Sequence, residues 1–374
     1  MRVVHVVTLV SDDGAFGGPL RVALNQVREL RRRGHAVTLA AGWRGVGSPP
    51  VEVDGVPVRL FPVRQAVPGS GFSGLISTGL LRWLRTALPE ADLAHVHSGR
   101  DLISLGALGL ARASGTRYVV QTHGMIAPDP RPRARVLDAL LVRRLLGSAA
   151  RHLVLTSHEM RDLQAMLPGR VRLHRVLNGV PVPREAAQLS REVLYCARLH
   201  PRKRPEAFVE MAGLLRDRGL WVDCPVVGPD EGSLALVQAR VRELGLQEQV
   251  RYEGALPYDG VLERMRRAGI YVLPSVDEPF PMSLLEALSL GLPCVTTDSC
   301  GISDLLQEAQ AAVITDGSPE ALADAVAQLL GDEPRRQALA TRARQTVRER
   351  FSIDAVVDDL EAVYAEVLRA GLET

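Results

Sequence analysis

Short apolar runs alternate along this chain with longer segments of helical periodicity, and this alternation constrains the fold more than any other feature. Such a rhythm is typical of βαβ units, whose strands pair in parallel and whose helices cover the sheet. The first unit joins a strand over 3–10 to a helix through a glycine-rich connection that includes Gly14, Gly17 and Gly18. Pro19 occupies the predicted first helical position. The pattern predicts an α/β fold with doubly wound parallel sheets.

The rhythm runs in two series with a break between them. Strands are predicted at 3–10, 36–41, 58–61, 93–97, 118–122 and 153–156, and then at 193–197, 223–227, 250–253, 271–274, 293–296 and 311–314. Asn178-Gly179, followed by two nearby prolines, interrupts the series and predicts a linker. We therefore predict domains over 1–180 and 181–352. In the remaining segment, 353–374, a last helix over 353–370 is expected to pack back on the first domain.

Composition excludes several classes of function. The 45 basic and 43 acidic residues give a net charge of +2, so no long-range field attracts nucleic acid or an anionic membrane. Aromatic residues make up only 4% of the chain, too few for a base-stacking platform. No apolar run approaches the ~20 residues that span a bilayer, and the first residues turn acidic too soon for a signal peptide. These features predict a soluble, cytoplasmic globular protein.

Cysteine and lysine are informative through their distribution. The four cysteines are scattered, without the close pairs of a zinc or redox site, and we interpret them as small buried apolar residues. Of the 45 basic residues, 44 are arginine, and Lys203 is the single lysine. A bias of this size reflects nucleotide composition. The remaining lysine is then a candidate for a position that requires a compact ammonium, with chance survival as the alternative.

The segment from Ser275 to Val295 places an acidic loop between an apolar strand and a helix. Pro281 stands at the predicted first helical position, where its missing amide hydrogen would be unsatisfied in any case. The next amides, at Met282, Ser283 and Leu284, point out of the positive end of the helix. These free amides predict a phosphate-binding site at the start of the helix.

Two carboxylates flank this helix start. Glu278 lies in the preceding loop and Glu286 lies within the helix. Carboxylates accept strong hydrogen bonds from sugar and ribose hydroxyls, so a nucleotide sugar laid over the helix start would use both residues. The alternative is a solvated helix with two surface acids.

Basic residues and histidines follow other predicted strands. Arg198 stands at the carboxyl end of a strand and Lys203 follows it, which places both to meet a diphosphate. A basic surface loop is the alternative. His123 follows a buried strand and is either a partner for a substrate hydroxyl or a structural residue. His95 and His97 share one strand face, but no third ligand is evident, so we predict no metal site.

Three motifs do not occur in the chain. It contains neither G-x-G-x-x-G after the first strand nor a Walker lysine motif, and it has no Asp-x-Asp. These absences argue against dinucleotide oxidoreductases, P-loop enzymes and metal-dependent single-domain sugar transferases.

The chain resembles the retaining glycosyltransferases of family 4, which have the two-domain GT-B fold. The matching motifs are Gly17-Gly18, His95–Ser98, Thr122–Gly124, Asn178–Val180, the pair Arg198 and Lys203, and the Glu-x7-Glu formed by Glu278 and Glu286. The resemblance implies two Rossmann-like domains that face a central cleft. It also implies that the first domain binds an acceptor and the second a nucleotide sugar.

The resemblance assigns a role to each matching residue. Glu278 contacts the transferred sugar and Glu286 the ribose. Arg198 and Lys203 hold the diphosphate, and His123 meets the sugar ring. The remaining donor-binding candidates are Gly17, Gly18, Gly254, Pro281, Met282 and Ser283. The chain departs from the family in having Pro281 where glycine is frequent, and Cys300-Gly301 where two glycines are frequent.

The implied reaction moves a hexose to an acceptor hydroxyl with retention of configuration, and needs no metal or other cofactor. Because a nucleoside diphosphate is already a good leaving group, charge on the departing phosphate is what must be stabilised. The acceptor is expected to be a bacterial polysaccharide or lipid-linked precursor, or a small natural product. Alternatives are a nucleotide-sugar epimerase of the same fold and a non-catalytic binding protein. The basic, apolar segment 131–146 is either a weak contact for anionic lipid or a solvated helix.

Overall fold

A computed structural model of the chain describes residues 1–12, 17–167, 169 and 171–370. Gly14 of the predicted glycine-rich connection lies outside the described residues. The chain divides into two compact units. One contains Met1–Gly179 together with the helix that begins at Ile353, and the other contains Val180–Ser352.

The first unit alternates strands and helices from its first residues onward. Its strands are β1 Arg2–Ser11, β2 Ala36–Arg44, β3 Glu52–Val53, β4 Val56–Pro62, β5 Arg64–Gln65, β6 Leu75–Ile76, β7 Leu93–His97, β8 Tyr118–Gln121, β9 Arg151–Val154 and β10 Leu173–Arg175. Its helices before residue 180 are α1 Gly17–Arg32, α2 Thr78–Ala87, α3 Leu102–Ser114, α4 Pro132–Leu137, α5 Arg143–Gly147 and α6 Ser157–Met166. A 3-10 turn spans Gly71–Gly74, and a π-helical turn, Asp138–Val142, joins α4 to α5.

The main sheet of this unit has the strand order β10-β9-β8-β7-β1-β2-β4-β3. Its pairs are parallel except for the short antiparallel pair β3–β4. The central strand β1 packs Val3 and Val7 into one apolar cluster and Val4 and Val6 into another. A strand that is buried on both faces requires a near-continuous apolar run, which is what the sequence provides. Successive strands are added on one side of β1 up to β4 and on its other side from β7 onward. The loops that follow β1 and β7 therefore flank the topological switch point of the sheet.

The second unit repeats this plan with a smaller sheet. Its strands are β11 Val193–Cys196, β12 Val226–Val227, β13 Tyr252–Gly254, β14 Ile270–Leu273, β15 Cys294–Thr297 and β16 Val313–Thr315. Its helices are α7 Pro205–Asp217, α8 Leu234–Glu243, α9 Tyr258–Arg267, α10 Met282–Ser289, α11 Ser303–Glu308, α12 Pro319–Gly331 and α13 Glu333–Thr346. A 3-10 turn spans Pro201–Lys203, and a π-helical turn, Val347–Phe351, follows α13.

The strand order in the second unit determines which loops lie side by side at the carboxyl edge of the sheet. The order is β13-β12-β11-β14-β15-β16 and every pair is parallel. This is the Rossmann arrangement, in which the connection reverses direction between the first and fourth strands. Here β11 pairs directly with β14, through Val193 with Ile270 and Leu194 with Tyr271. The loops that begin after Cys196 and Leu273 therefore emerge side by side at the carboxyl edge.

The last helix, α14 (Ile353–Arg369), belongs to the first unit, which confirms that it packs back there. Val357, Leu360 and Tyr364 are fully buried in the same apolar cluster as β1 and α1. At the end of α1, Arg33 Nη1 lies 2.7 Å from Glu361 Oε2. An apolar face and ion pairs at its edge thus hold α14 against this unit.

Each predicted strand has a counterpart in the structure; the strand predicted at 93–97 has these same bounds, and the ends of the others differ by up to three residues. The prediction for 223–227 was wrong in length, because only Val226–Val227 pairs as a strand after Pro225, which has no amide to donate. The prediction that α1 begins at Pro19 was also wrong, since it begins at Gly17. Strands β3, β5, β6 and β10 were not predicted, because two or three residues carry no readable periodicity. Within the part of the chain that is described, no helix combines the length and apolarity needed to cross a bilayer.

Candidate active site

The loops after β11 and β14 bring two opposite charges together. Lys203 Nζ lies 2.6 Å from Glu278 Oε2, and the two side chains are 9% and 10% exposed. Arg202 reaches the same carboxylate oxygen at 3.1 Å from a half-exposed position. This burial excludes both the surface-loop interpretation of Lys203 and the surface-acid interpretation of Glu278.

Burial and the charge of the partner shift the pKa of each of these two residues in opposite directions. Burial lowers the pKa of Lys203, and the Glu278 carboxylate only partly opposes that shift. Burial alone would raise the pKa of Glu278, but the ion pairs with Lys203 and Arg202 outweigh it and hold the pKa below its ordinary value. Glu278 is therefore ionised at neutral pH. The buried charge of each partner depends on the other.

Local backbone geometry fixes the loop that carries Lys203. His200 precedes the 3-10 turn, and its Nδ1 accepts a hydrogen bond from the Arg202 amide at 3.1 Å. Arg204 ends the turn with a left-handed φ of 48°. The Val276 amide donates to the Arg202 carbonyl at 2.9 Å. This bond ties the loop after β14 to the loop after β11.

Helix α10 begins at Met282, so the prediction that Pro281 is its first helical residue was wrong. Pro281 has φ −80° and ψ 103°, and this ψ lies outside the helical range. No side chain of a described residue caps this helix start, so its first amides are available to water or to an anion. Tyr271 Oη lies 2.8 Å from Ser283 Oγ and 3.0 Å from the Cys196 carbonyl. Tyr271 thereby connects the helix start to the end of β11.

Glu286 lies in the second turn of α10 and is 6% exposed. Burial, followed by the charge of Glu286, raises the pKa of the Cys196 thiol to about 12. Since Cys196 is the last residue of β11, Glu286 lies close to the carboxyl end of that strand. The surface-acid interpretation is excluded for Glu286 as well.

Arg198 is paired with a carboxylate that the sequence analysis missed. Its Nη1 lies 2.9 Å and 2.7 Å from the two carboxylate oxygens of Glu231. Glu231 belongs to the loop after β12, the neighbour of β11. The position of an acidic residue just after an adjacent strand was the available signal, but it forms no recognisable motif.

Two glycines shape the same edge of the sheet. Gly228 has φ 143°, and a Cβ there would lie 2.0 Å from the Ala197 carbonyl oxygen, so no other residue fits. Its amide donates to the carbonyl of Gly254 at 2.9 Å. Gly254 ends β13 with φ 83°. The loops after three adjacent strands are thus held close together by backbone contacts.

In the first unit, His123 lies in a tight loop after β8, with left-handed φ values of 53° at His123 and 72° at Gly124. Buried Glu159 holds this loop, because its Oε1 accepts from the Gly124 amide at 2.7 Å and from the Thr122 hydroxyl at 2.5 Å. The sequence analysis missed Glu159. The pattern Thr156-x-x-Glu159 at the start of α6 was its signal, since it is typical of a capping box.

His95 and His97 have a third histidine beside them, contrary to the sequence analysis. His5 of β1 pairs in register with His95, and its Nδ1 lies 3.3 Å from His97 Nε2. His97 Nδ1 in turn lies 2.8 Å from His123 Nε2. The rings of His95 and His97 stack 4.4 Å apart and within 12° of parallel. One ring nitrogen of each of His5, His95 and His97 lies within 4.8 Å of the other two, and hydrogen bonds link His5 to His97 and His97 to His123.

The predicted site residues divide between the two units. The carboxyl edge of the second sheet brings together Arg198, Lys203, Gly254, Glu278, Pro281, Met282, Ser283 and Glu286. His123, Gly17 and Gly18 belong to the first unit, where Gly17 and Gly18 open α1. A Cβ added at Gly18 would meet no atom within 4 Å, so no described neighbour requires glycine there.

Comparisons with known proteins extend over nearly the whole chain. Residues 17–179 match the glycosyl transferase 4-like domain, and residues 184–346 match the glycosyl transferases group 1. An alpha-D-kanosaminyltransferase from Streptomyces kanamyceticus is 27% identical over 82% of this chain and 87% of its own length. A D-inositol 3-phosphate glycosyltransferase from Thermomonospora curvata is 30% identical over 96% of this chain and 93% of its own. Further relatives align over one to two thirds of their own length.

Solved structures share the fold. The structure of Anabaena HepE in complex with UDP and glucose superimposes with a TM-score of 0.76, at 16% identity over 98% of this chain and 99% of that chain. WaaG, a glycosyltransferase of lipopolysaccharide biosynthesis, gives 0.64 at 19% identity over 96% and 98%. The two Rossmann-like units and these likenesses define the class as the GT-B glycosyltransferases. Within that class, the chain belongs to glycosyltransferase family 4.

The buried ion pair predicts a stability cycle. Lys203→Met should lower the free energy of unfolding by about 2–4 kcal/mol, because Glu278 keeps a buried charge with only Arg202 as its partner. Adding Glu278→Gln should restore most of that loss. Urea unfolding of the single and double variants measures the coupling.

The matched control is the exposed pair of Arg218 and Asp324, whose side chains are 37% and 61% exposed. Asp324→Asn should cost about 0–1 kcal/mol. Losses from Lys203→Met and Glu278→Gln that simply add would contradict mutual dependence of the buried charges.

Proposed function

We propose that this glycosyltransferase moves a hexosyl group from a nucleoside diphosphate sugar to an acceptor hydroxyl, with retention of configuration and without a metal. The observation that carries the proposal is the buried pair of Lys203 and Glu278 at the strand-order switch of the second unit. In such sheets the switch point is where nucleotides bind. The structure of Anabaena HepE with UDP and glucose supports a donor of this kind.

Positive charge at this edge is suited to a departing diphosphate. Arg198 and Lys203 follow β11, and the uncapped start of α10 adds the partial charge of its free amides at Met282 and Ser283. As the bond from the anomeric carbon to the phosphate oxygen breaks, negative charge accumulates on that oxygen. Fixed cations and amides stabilise it without reorganisation. Two cations together with a helix start supply the charge that a divalent ion supplies in other transferases.

Retention requires that the acceptor oxygen bonds to the anomeric carbon on the face that the phosphate leaves. We propose that the departing phosphate oxygen takes the acceptor's proton. Glu278 is ion-paired with Lys203 and Arg202, so it is suited to binding a sugar hydroxyl and stabilising positive charge on the sugar. Among the residues that the structure describes, no second carboxylate is identified as a partner of Glu278 of the kind that a retaining glycosidase uses.

The remaining candidates receive roles from their positions. We propose that Glu286 binds the ribose, that Gly254 with Pro281 and Ser283 shapes the nucleotide site, and that the first unit binds the acceptor. His123 is proposed to meet the transferred sugar, and Gly17 and Gly18 to allow a close approach of backbone and substrate. The acceptor is proposed to be a glycan, a lipid-linked precursor or a small natural product.

Three measurements test the reaction itself. A panel of nucleotide sugars with candidate acceptors, followed by mass spectrometry, identifies the transfer. The anomeric proton coupling of the product distinguishes retention from inversion, and full activity in excess chelator supports metal independence. Turnover of donor to its epimer without acceptor would favour the epimerase alternative, and donor binding without turnover would favour a binding protein.

The first unit also has a surface suited to anionic lipid. Helices α4 and α5 with the π-helical turn between them expose Val136, Leu140 and Leu141, which are 58%, 67% and 42% exposed. Exposed arginines on the same segment are Arg131, Arg135, Arg143 and Arg144. We propose that this face makes a weak contact with membrane lipid, as basic amphipathic segments do. The net charge of +2 favours the alternative, a solvated helix.

The two glutamates should separate catalysis from binding. Glu278→Gln should reduce transfer more than a hundredfold, roughly 3 kcal/mol, while affinity for the bare nucleoside diphosphate is maintained. Glu286→Ala should weaken that bare nucleotide by about 1–3 kcal/mol, through loss of a charged hydrogen bond. Calorimetric titration and turnover measure the two effects. The control is Glu243→Ala, an exposed glutamate of α8. Equal effects, or the opposite order, would mean that the donor lies in reverse orientation.

The pair of Arg198 and Glu231 predicts a gain of affinity. Because Glu231 competes with the diphosphate for Arg198, Glu231→Gln should tighten nucleoside diphosphate binding about two- to fivefold, in line with the small free energy of a partly exposed ion pair. Calorimetric titration at low salt measures this change. Asp324→Asn, which removes another arginine–carboxylate pair in the same unit, should leave affinity unchanged. Weaker binding by Glu231→Gln would show that Glu231 orients Arg198 rather than competing with the ligand.

The lipid contact predicts salt-sensitive flotation. Vesicles with anionic lipid should carry the protein at low salt and release it at high salt. The double variant Leu140→Ser with Leu141→Ser should abolish flotation. Val51→Ser, at a residue of the same unit that is 82% exposed, should not. Absence of flotation by the unmodified protein, or equal flotation of all variants, would contradict the membrane contact.

A further inference from the structure

A continuous chain of hydrogen bonds crosses the core of the first unit and ends at His123. Tyr364 of α14 lies 2.6 Å from His95 Nδ1 and 3.1 Å from His5 Nε2. His5 Nδ1 continues to His97 Nε2 at 3.3 Å, and His97 Nδ1 continues to His123 Nε2 at 2.8 Å. All members except His123 are fully buried. His123 alone is half-buried, so it is the end at which a substrate can be met.

The histidines in this chain are neutral at ordinary pH. Burial lowers the pKa of His5, His95 and His97 well below the usual value and lowers that of His123 to about 3. A neutral imidazole has one N–H and one lone pair, so a ring that donates through one nitrogen accepts through the other. Each ring therefore sets the tautomer of the next. Along the series of hydrogen bonds, only two directions of proton donation are consistent.

The two hydrogen-bond distances from the Tyr364 hydroxyl oxygen favour one of these directions of proton donation. Hydroxyl donors make shorter hydrogen bonds than N–H donors do. The 2.6 Å contact is thus the Tyr364 hydroxyl donating to His95 Nδ1, and the 3.1 Å contact is His5 Nε2–H donating to the Tyr364 oxygen. Donation by the Tyr364 hydroxyl leaves the proton of His95 on its Nε2, which has no hydrogen-bond partner among the described residues.

We propose that Tyr364, through His5 and His97, holds His123 in the tautomer with its proton on Nε2, so that Nδ1 offers a lone pair to a substrate hydroxyl. Since His5 donates through Nε2, its Nδ1 accepts from His97 Nε2–H. His97 Nδ1 then accepts from His123 Nε2–H. Tyr364 is a positioning residue in this arrangement, and its use in catalysis rests on the sugar-transfer function proposed above.

Ring-nitrogen spectra of the free protein test the proposal. In ¹⁵N-labelled protein, long-range proton–nitrogen correlations distinguish protonated from bare imidazole nitrogens, and His123→Asn assigns the His123 signals. The unmodified protein should show a protonated Nε2 and a bare Nδ1 at His123. Tyr364→Phe removes the acceptor of the His5 proton. His5, His97 and His123 should then all move their protons to Nδ1.

Tyr118→Phe is the matched control. Tyr118 is also buried in the first unit, and its hydroxyl donates to the Leu145 carbonyl at 2.6 Å, outside the chain. Its loss should leave the His123 signals unchanged. Tyr364→Phe should also lower kcat while the affinity for a bare nucleoside diphosphate is maintained, and Tyr118→Phe should change neither.

Two results would overturn the proposal. One is a proton on Nδ1 of His123 in the unmodified protein, which needs no variant to fold. The other is an unchanged His123 tautomer in folded Tyr364→Phe. Because both are read from protein without donor or acceptor, they are independent of sugar transfer. Failure to detect transfer would refute the proposed function and leave the tautomer result standing.

Discussion

Lys203 and Glu278 can both be charged in the protein interior only because each neutralises the other. Removing Lys203 leaves the buried Glu278 carboxylate with only the half-exposed Arg202, and removing Glu278 leaves the buried Lys203 ammonium without its carboxylate. This mutual requirement fixes the loops after β11 and β14 in one arrangement. It also explains a lysine in a chain that otherwise uses arginine. Arg202, with its larger planar group, reaches the same carboxylate only from a half-exposed position. The compact ammonium is what fits the buried side.

In the proposed function, the same electrostatic constraint governs ligand binding at this edge of the second unit. Both cations proposed to bind the diphosphate are paired with a carboxylate, Lys203 with Glu278 and Arg198 with Glu231. At Arg198, the proposed diphosphate would exchange one anion for another, and the net affinity would be the difference between two interactions. We propose that the partly exposed pair of Arg198 and Glu231 exchanges easily, whereas the buried pair of Lys203 and Glu278 stays together. Glu278 thus stays in position to meet whatever the phosphate carries.

Sequence periodicity predicted the fold because parallel strands buried on both faces need long apolar runs, as in β1 and β7. It identified Lys203 and Glu278 as candidate site residues because each lies in the loop that follows such an apolar run. It could not predict their 2.6 Å contact or the partnership of Arg198 with Glu231, since both depend on strand order, which joins residues distant in the chain. His5 was missed for the same reason. Its proximity to His97 follows from the pairing of β1 with β7.

In the first unit, the buried histidine side chains are neutral and are joined by hydrogen bonds rather than by ion pairs. A neutral imidazole has one donor nitrogen and one acceptor nitrogen, so buried histidines that bond to one another form a line. His95 is one end of this line, and its Nε2 has no partner among the described residues. His123 ends it at the half-buried side. Inside the core, His5 and His95 need a partner that both donates and accepts, and the Tyr364 hydroxyl does both. The return of α14 to this unit therefore completes a polar network as well as an apolar core. A helix with phenylalanine at that position would cover the same surface and leave two imidazole nitrogens unpaired.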